Sequence, residues 1–135
     1  MTSEKREELP HVLIVEDEED LREVLEIAFA SADYRVTTAA NGVCGWQNFE
    51  REHPDLLVLD LHMPEMSGFR LLKLVRSESN VPVLILTAYD FAEAEEVAEF
   101  RPNFFMSKPF DAQELIHQAN CLIGRAANDV PCYRP

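Results

Sequence analysis

Leu56-Leu57-Val58-Leu59-Asp60 is a short apolar run closed by a carboxylate. Val12-Leu13-Ile14-Val15, closed by Glu16-Asp17, precedes it, and Val83-Leu84-Ile85-Leu86, closed by Thr87, follows it. Each run is too short for a helix and does not alternate with polar residues. That pattern belongs to parallel strands buried on both faces. Two weaker segments read as edge strands. In one, Tyr34, Val36 and Thr38 alternate with Arg35 and Thr37; the other is the short stretch Asn103 to Ser107.

Between these strands the period becomes helical. Leu21, Val24, Leu25 and Ala28 form one apolar stripe, and Leu115, Ala119, Leu122 and Ile123 another. From Phe69 to Ser77, Arg70, Lys73 and Ser77 recur at helical spacing among mostly apolar residues. Asp90 with Glu93, and Asp111 with Glu114, have capping-box spacing, and Gly124 reads as a helix stop. A helix around Val43 to Phe49 has the least support, because Gly45 in its interior costs about 1 kcal/mol relative to Ala. The order is β-α five times over. It implies an α/β, flavodoxin-like (βα)5 fold: a doubly wound parallel sheet of strand order 2-1-3-4-5 with helices on both faces. Residues 11–124 form the domain, with tails at 1–10 and 125–135.

The chain has 135 residues, enough for one domain with a real core. Its 12 Lys and Arg against 25 Asp and Glu leave a net charge of −13. That field repels phosphate backbones and anionic lipid, so neither direct nucleic-acid binding nor membrane binding is expected. No run approaches the ~20 apolar residues of a membrane span, and the charged N-terminus lacks the apolar core of a secretory signal. Cys44, Cys121 and Cys132 show no metal-like or redox-like spacing, and their odd count reads as free thiols in a reducing compartment. A cytoplasmic protein is the expectation.

In this fold Glu16, Asp17 and Asp60 meet at the carboxyl edge of the sheet, beside the point where the strand order reverses. Clustered carboxylates raise one another's pKa values, and a hard divalent cation such as Mg²⁺ relieves the conflict. Thr87 adds a hydroxyl donor and Lys108 a cation at the neighbouring strand ends. A nucleophile, a metal, a hydrogen-bond donor and a counter-charge together suit a phosphoryl group.

These residues carry a resemblance. Val12-Leu13-Ile14-Val15-Glu16-Asp17-Glu18, Leu59-Asp60-Leu61-His62-Met63-Pro64-Glu65-Met66-Ser67-Gly68, Leu86-Thr87-Ala88 and Lys108-Pro109-Phe110 resemble the receiver domain of two-component response regulators, from about His11 to Gly124. The resemblance implies that Asp60 is the phosphoacceptor, taking its phosphoryl group from a sensor histidine kinase or a histidine phosphotransfer protein. It further implies Mg²⁺ held by Asp17, Asp60 and the backbone carbonyl of His62, with Glu16 acting largely through water. Thr87 and Lys108 would bind phosphoryl oxygens, and the Lys108-Pro109 bond would be cis. Thr87 and Phe105 would form the switch, with Phe105 rotating inward as the Thr87 hydroxyl moves to the phosphoryl group. His62 and Tyr89 would overhang the site and tune hydrolysis.

The same resemblance implies a phosphorelay switch that alters protein contacts, with only autocatalytic phosphorylation and dephosphorylation. Its downstream target and its oligomeric state are not legible. Phe105 stands where the family often has Tyr, and Arg101-Pro102 replaces the common Gly-Ala. Glu93, Glu95, Glu96 and Glu99 mark a solvated or docking face. The alternative is a phosphorylation-independent interaction module on the same fold, although such proteins usually lose a site residue, and Asp17, Asp60, Thr87 and Lys108 all remain. A phosphohydrolase of the haloacid dehalogenase type would want Asp where His62 stands. His11, His53 and His117 lack ligand spacing and read as surface or helix residues. Trp46 reads as core or half-buried.

Overall fold

The computed structural model describes residues 9–63, 66–87 and 102–125. Within them lie β1 (His11–Val15), α1 (Glu19–Ser31), β2 (Arg35–Ala39), α2 (Gly42–Glu52), β3 (Leu56–Asp60), α3 (Gly68–Glu78), β4 (Val83–Thr87), β5 (Phe104–Ser107) and α4 (Ala112–Leu122). All neighbouring strands pair in parallel, in the order β2-β1-β3-β4-β5. The three apolar runs are the interior strands, and every residue in them is buried. The weaker segments are the edges, displaced by one residue at their starts from the sequence reading. The helix expected from Asp90 lies outside the described residues.

Strand alternation sorts the core into two layers. Leu13, Val15, Leu57, Leu59, Val83 and Ile85 face Phe49 of α2 and Leu71, Leu72 and Val75 of α3. Val12, Ile14, Leu56, Val58, Leu84 and Leu86 face Leu25 and Phe29 of α1 and Leu115 and Ala119 of α4. Helices therefore cover both faces, which is why the strand runs carry no polar residue.

Gly45 explains the poorly supported helix. It is buried, and a Cβ there would come within 2.9 Å of Val15 Cγ2 and 3.1 Å of Leu71 Cδ2. The helix gives up propensity at this position so that α2 can approach β1 and α3. Asn41 secures its start by accepting from the Cys44 amide at 2.8 Å. Asp111 caps α4 in the same way through the Gln113 amide, and Gly124 follows that helix with φ of 78°.

Three expectations need correction. Val24 stands 53% exposed, because α1 turns Leu25 and Phe29 to the sheet instead. His11 is a buried strand residue, 6% exposed, sharing a 2.7 Å hydrogen bond between Nε2 and Thr37 Oγ1. Cys44 is exposed and free, but Cys121 is disulfide-bonded, to a partner outside the described residues. An odd count excludes complete pairing, not a single bridge. Trp46 is half-buried and stacks on Phe49 at 5.7 Å. Among the described residues no helix is long and apolar enough to cross a membrane.

Candidate phosphoryl-transfer site

β1, β3, β4 and β5 deliver polar residues to one edge because each strand ends where its apolar run ends. Glu16 directly follows β1, and its amide donates to Ala39 O at 3.0 Å, so the carboxylate leaves the sheet at a fixed point. Asp60 closes β3 and Thr87 closes β4. Lys108 directly follows β5, and its amide donates to Thr87 O at 2.7 Å. The Lys108-Pro109 bond is cis.

Glu16, Asp17 and Asp60 each offer a carboxylate oxygen, and these ligand atoms all lie within 4.8 Å of one another. Glu16 and Asp60 are buried, whereas Asp17 is exposed. Lys108 Nζ lies 3.0 Å from Glu16 Oε1 and 3.6 Å from Asp60 Oδ2. One ammonium thus faces two buried carboxylates, with a third beside them. Burial, and then the charge of Asp60, push the Glu16 carboxyl up to about 7, against the opposing effect of Lys108. Burial alone would lower the Lys108 pKa, but the Glu16 hydrogen bond and the two carboxylates outweigh it and hold the pKa above the ordinary value.

The remaining donors have distinct states. The His62 amide donates to Asp60 Oδ1 at 3.2 Å, and the Glu18 amide to Glu16 Oε2 at 3.2 Å. Thr87 Oγ1 is fully buried and has no hydrogen-bond partner among the described residues. A buried hydroxyl without a partner costs about 1–3 kcal/mol, so its position at the edge calls for an explanation beyond packing.

The response regulator receiver domain matches residues 12–120. The chain belongs to that family. It is 36% identical over 118 residues to a probable transcriptional regulator, ycf27, of Cyanophora paradoxa, covering 87% of this chain and 49% of the relative. It is 36% identical over 120 residues to the sensory transduction protein RegX3 of Mycolicibacterium smegmatis, covering 87% and 52%. The chain spans about half the length of these curated relatives. Among solved structures, the receiver domain of the Francisella response regulator 1452 superimposes with a TM-score of 0.81 at 30% identity, covering 86% of this chain and 98% of that one. The chemotaxis protein CheY4 of Vibrio cholerae gives 0.79 at 27% identity, covering 84% and 98%. Receiver domains are signalling domains that work with histidine kinases or phosphotransfer proteins and bind Mg²⁺ at an acidic pocket.

In this receiver, Glu16, Asp17, Asp60 and Lys108 form one cluster, with Thr87 at the end of the strand next to Asp60. His62 is exposed on the loop after β3, its ring edge-on to Phe69 at 6.2 Å. Phe105 is half-buried and packs on the layer that faces α2 and α3. Tyr89, and the acidic residues Glu93 to Glu99, lie outside the described residues. Two supports escaped the sequence reading. Arg22 Nη1 donates to Glu16 O at 3.0 Å, steadying the β1–α1 loop, and no short-range pattern announces a bond six residues back. Gly68 lets α3 begin against β3, where a Cβ would fall 2.2 Å from Asp60 O. A glycine opening a helix close after a strand-ending carboxylate was the available signal.

Proposed function

We propose that Asp60 is the phosphoacceptor of a two-component switch, charged by a phosphohistidine of a sensor histidine kinase or phosphotransfer protein. A carboxylate oxygen of Asp60 forms the new O–P bond as the donor's P–N bond breaks, and the leaving imidazole nitrogen keeps the electron pair. The observation that carries this reading is the crowding of Glu16, Asp17 and Asp60 ligand atoms within 4.8 Å, with Lys108 in contact with two of the three. Such a cluster has an excess of negative charge that a hard cation balances.

Asp17, Asp60 and the His62 backbone carbonyl are the residues that would hold Mg²⁺, with Glu16 reaching it through water. When bound, the cation supplies positive charge beside the acceptor and the incoming phosphoryl oxygens. Lys108 pairs with one phosphoryl oxygen, turning from Glu16 toward the new charge. Thr87 donates its unpartnered hydroxyl to another oxygen. As that hydroxyl moves, Phe105 rotates into the space behind it, and the change of surface redirects protein contacts. His62, with Tyr89, shields the phosphoryl group from water. Replacing both with small polar residues shortens the lifetime of the phosphorylated form; an unchanged lifetime removes this role. Val24 and Ile27, 53% and 60% exposed on the helix that starts beside the cluster, supply apolar contact for the donor protein.

The deciding test is intact mass after incubation with Mg²⁺ and acetyl phosphate, beside Asp60→Asn. A single phosphoryl adduct that requires Mg²⁺ and Asp60 is expected. Its absence, with partner kinases also supplied, would leave the phosphorylation-independent interaction module as the function.

A further inference from the structure

We propose that the outer face of α3 docks an acidic, apolar segment of a partner protein. A groove of about 580 Å³ runs along this helix, and the described residues lining it are Ser67, Phe69, Arg70, Lys73, Leu74 and Ser77. The helix turns Leu71, Leu72 and Val75 inward, leaving positions 70, 73, 74 and 77 on the outer face at helical spacing. Phe69 and Leu74 are half-buried and provide the apolar floor, while Arg70 and Lys73 are exposed at its side.

The charge on this face selects the partner. Among the described residues, the other cations of the same region are committed to the fold. Arg76 donates to Ser79 O, Val81 O and Asn103 Oδ1, and Lys108 is held by Glu16. The side chains of Arg70 and Lys73 make neither a hydrogen bond nor an ion pair with the described residues. Two such cations one turn apart, beside the apolar floor, make the described part of this face positive on a chain of net charge −13. The matching surface carries carboxylates at helical spacing beside an apolar anchor. Ser67 to Ser77 measures roughly 15 Å along the helix axis, the length of about three helical turns.

A second copy is the poorer occupant. It carries the same −13 charge, and its acidic, apolar helix α1 would reach α3 only through a head-to-tail contact, which builds rings or filaments and not a two-fold dimer. The fitting partner is acidic at the docking segment and not over its whole surface, since repulsion beyond about 8–10 Å is screened. The Phe69 ring meets His62 edge-on, so the groove begins at the loop that follows Asp60. The inference stands on this face alone and does not require phosphorylation.

A fluorescein-labelled helical peptide with Leu on one face and Glu flanking it serves as the probe, with Gln and Lys versions as controls. The Glu peptide is expected to bind the full chain and shift the amide resonances of Arg70, Lys73 and Ser77. The Gln peptide should bind about tenfold more weakly, a comparison that leaves the protein untouched. R70E/K73E, at two exposed positions, should keep the melting temperature, lose the Glu peptide and gain the Lys peptide. Equal binding of the Glu and Gln peptides overturns the proposal, as do shifts centred on Val24 and Ile27. An association between copies that R70E/K73E abolishes would also overturn it, naming a second copy as the occupant.

Discussion

The two ends of the same sheet treat their polar groups in opposite ways. At the amino edge, the His11 amide donates to Asp55 Oδ2 and the Asp55 amide returns a bond to His11 O, both at 2.8 Å. His11 Nε2 meets Thr37, and Asn103 Oδ1 accepts from the Val83 amide at 2.9 Å and from Arg76 at 3.0 Å. At the carboxyl edge, Glu16 and Asp60 are buried beside each other with a shared lysine, and Thr87 Oγ1 has no partner among the described residues. One edge is closed by mutual satisfaction. The other holds charge and hydrogen-bonding capacity in reserve, and that reserve distinguishes a chemical site from a well-made loop region.

The largest effect should come from removing the cation that holds the carboxyl edge together. Lys108→Met leaves Glu16 and Asp60 facing each other and takes away a charge aimed at the phosphoryl group. Phosphorylation by acetyl phosphate in Mg²⁺, followed by intact mass, should slow by about 10²-fold, the usual scale for losing one electrostatic donor. An unchanged rate would make the lysine a structural partner of Glu16, no different in kind from the groups at the amino edge.

Glu16 offers a sharper test through pH. Its folded pKa of about 7 lies above the ordinary 4.5, so the folded protein holds a proton there that the unfolded chain has lost. The stability this proton contributes is complete below pH 4.5 and is lost as pH rises through about 7. Glu16→Gln imitates the protonated form. Without Mg²⁺, thermal unfolding should show the variant equal to the parent near pH 5 and more stable at pH 8, by at most about 3 kcal/mol. Mg²⁺ should reverse the order at pH 8 by stabilising the parent more. A variant less stable than the parent at pH 8 without the ion would show that the Lys108 pairing outweighs burial.

Paired substitutions at the two edges should change stability with opposite signs. Asn103→Ala strips the partner from the Val83 amide and should cost about 1–2 kcal/mol in chemical denaturation. Thr87→Val replaces an unpartnered buried hydroxyl with a methyl of similar shape. It should leave stability unchanged or raise it by up to about 1 kcal/mol, while uncoupling phosphorylation from any movement of Phe105. A cost at Thr87 equal to that at Asn103 would erase the contrast between the edges.

How much of this was legible beforehand follows from the range of the interactions involved. Val12 to Val15, Leu56 to Leu59 and Val83 to Leu86 could be recognised because burial on both faces leaves a local mark, an unbroken apolar run. Their ends then placed Glu16, Asp60 and Thr87 on one edge without any knowledge of side-chain geometry. Val24 was misplaced because periodicity defines a stripe but not its centre, and Phe29 took the inward position. His11 was misread because its partners, Asp55 and Thr37, are set by strand register. The Glu16–Lys108 bond spans 92 residues, so composition could suggest the charges but not their contact. Gly45 looked like a weakness in α2 because the cost is local, while the benefit is the close approach of Val15 and Leu71.

The smallest expected effect lies between the edges, at Phe105 in β5. Its ring is half-buried against the layer that faces α2 and α3, one strand away from Thr87. A phenylalanine turned inward leaves no hydroxyl to satisfy, whereas a tyrosine must find a partner or remain outside. Phe105→Tyr should therefore lower the inward population of the unphosphorylated protein, by a free-energy difference on the order of 1 kcal/mol. Aromatic side-chain NMR on the two proteins measures these populations directly. A lower inward fraction in the tyrosine variant, converging with the parent once Asp60 is phosphorylated, would place the ring under the control of the carboxyl edge. Equal fractions before phosphorylation would make Phe105 part of the packed core, governed by its neighbours and not by the site.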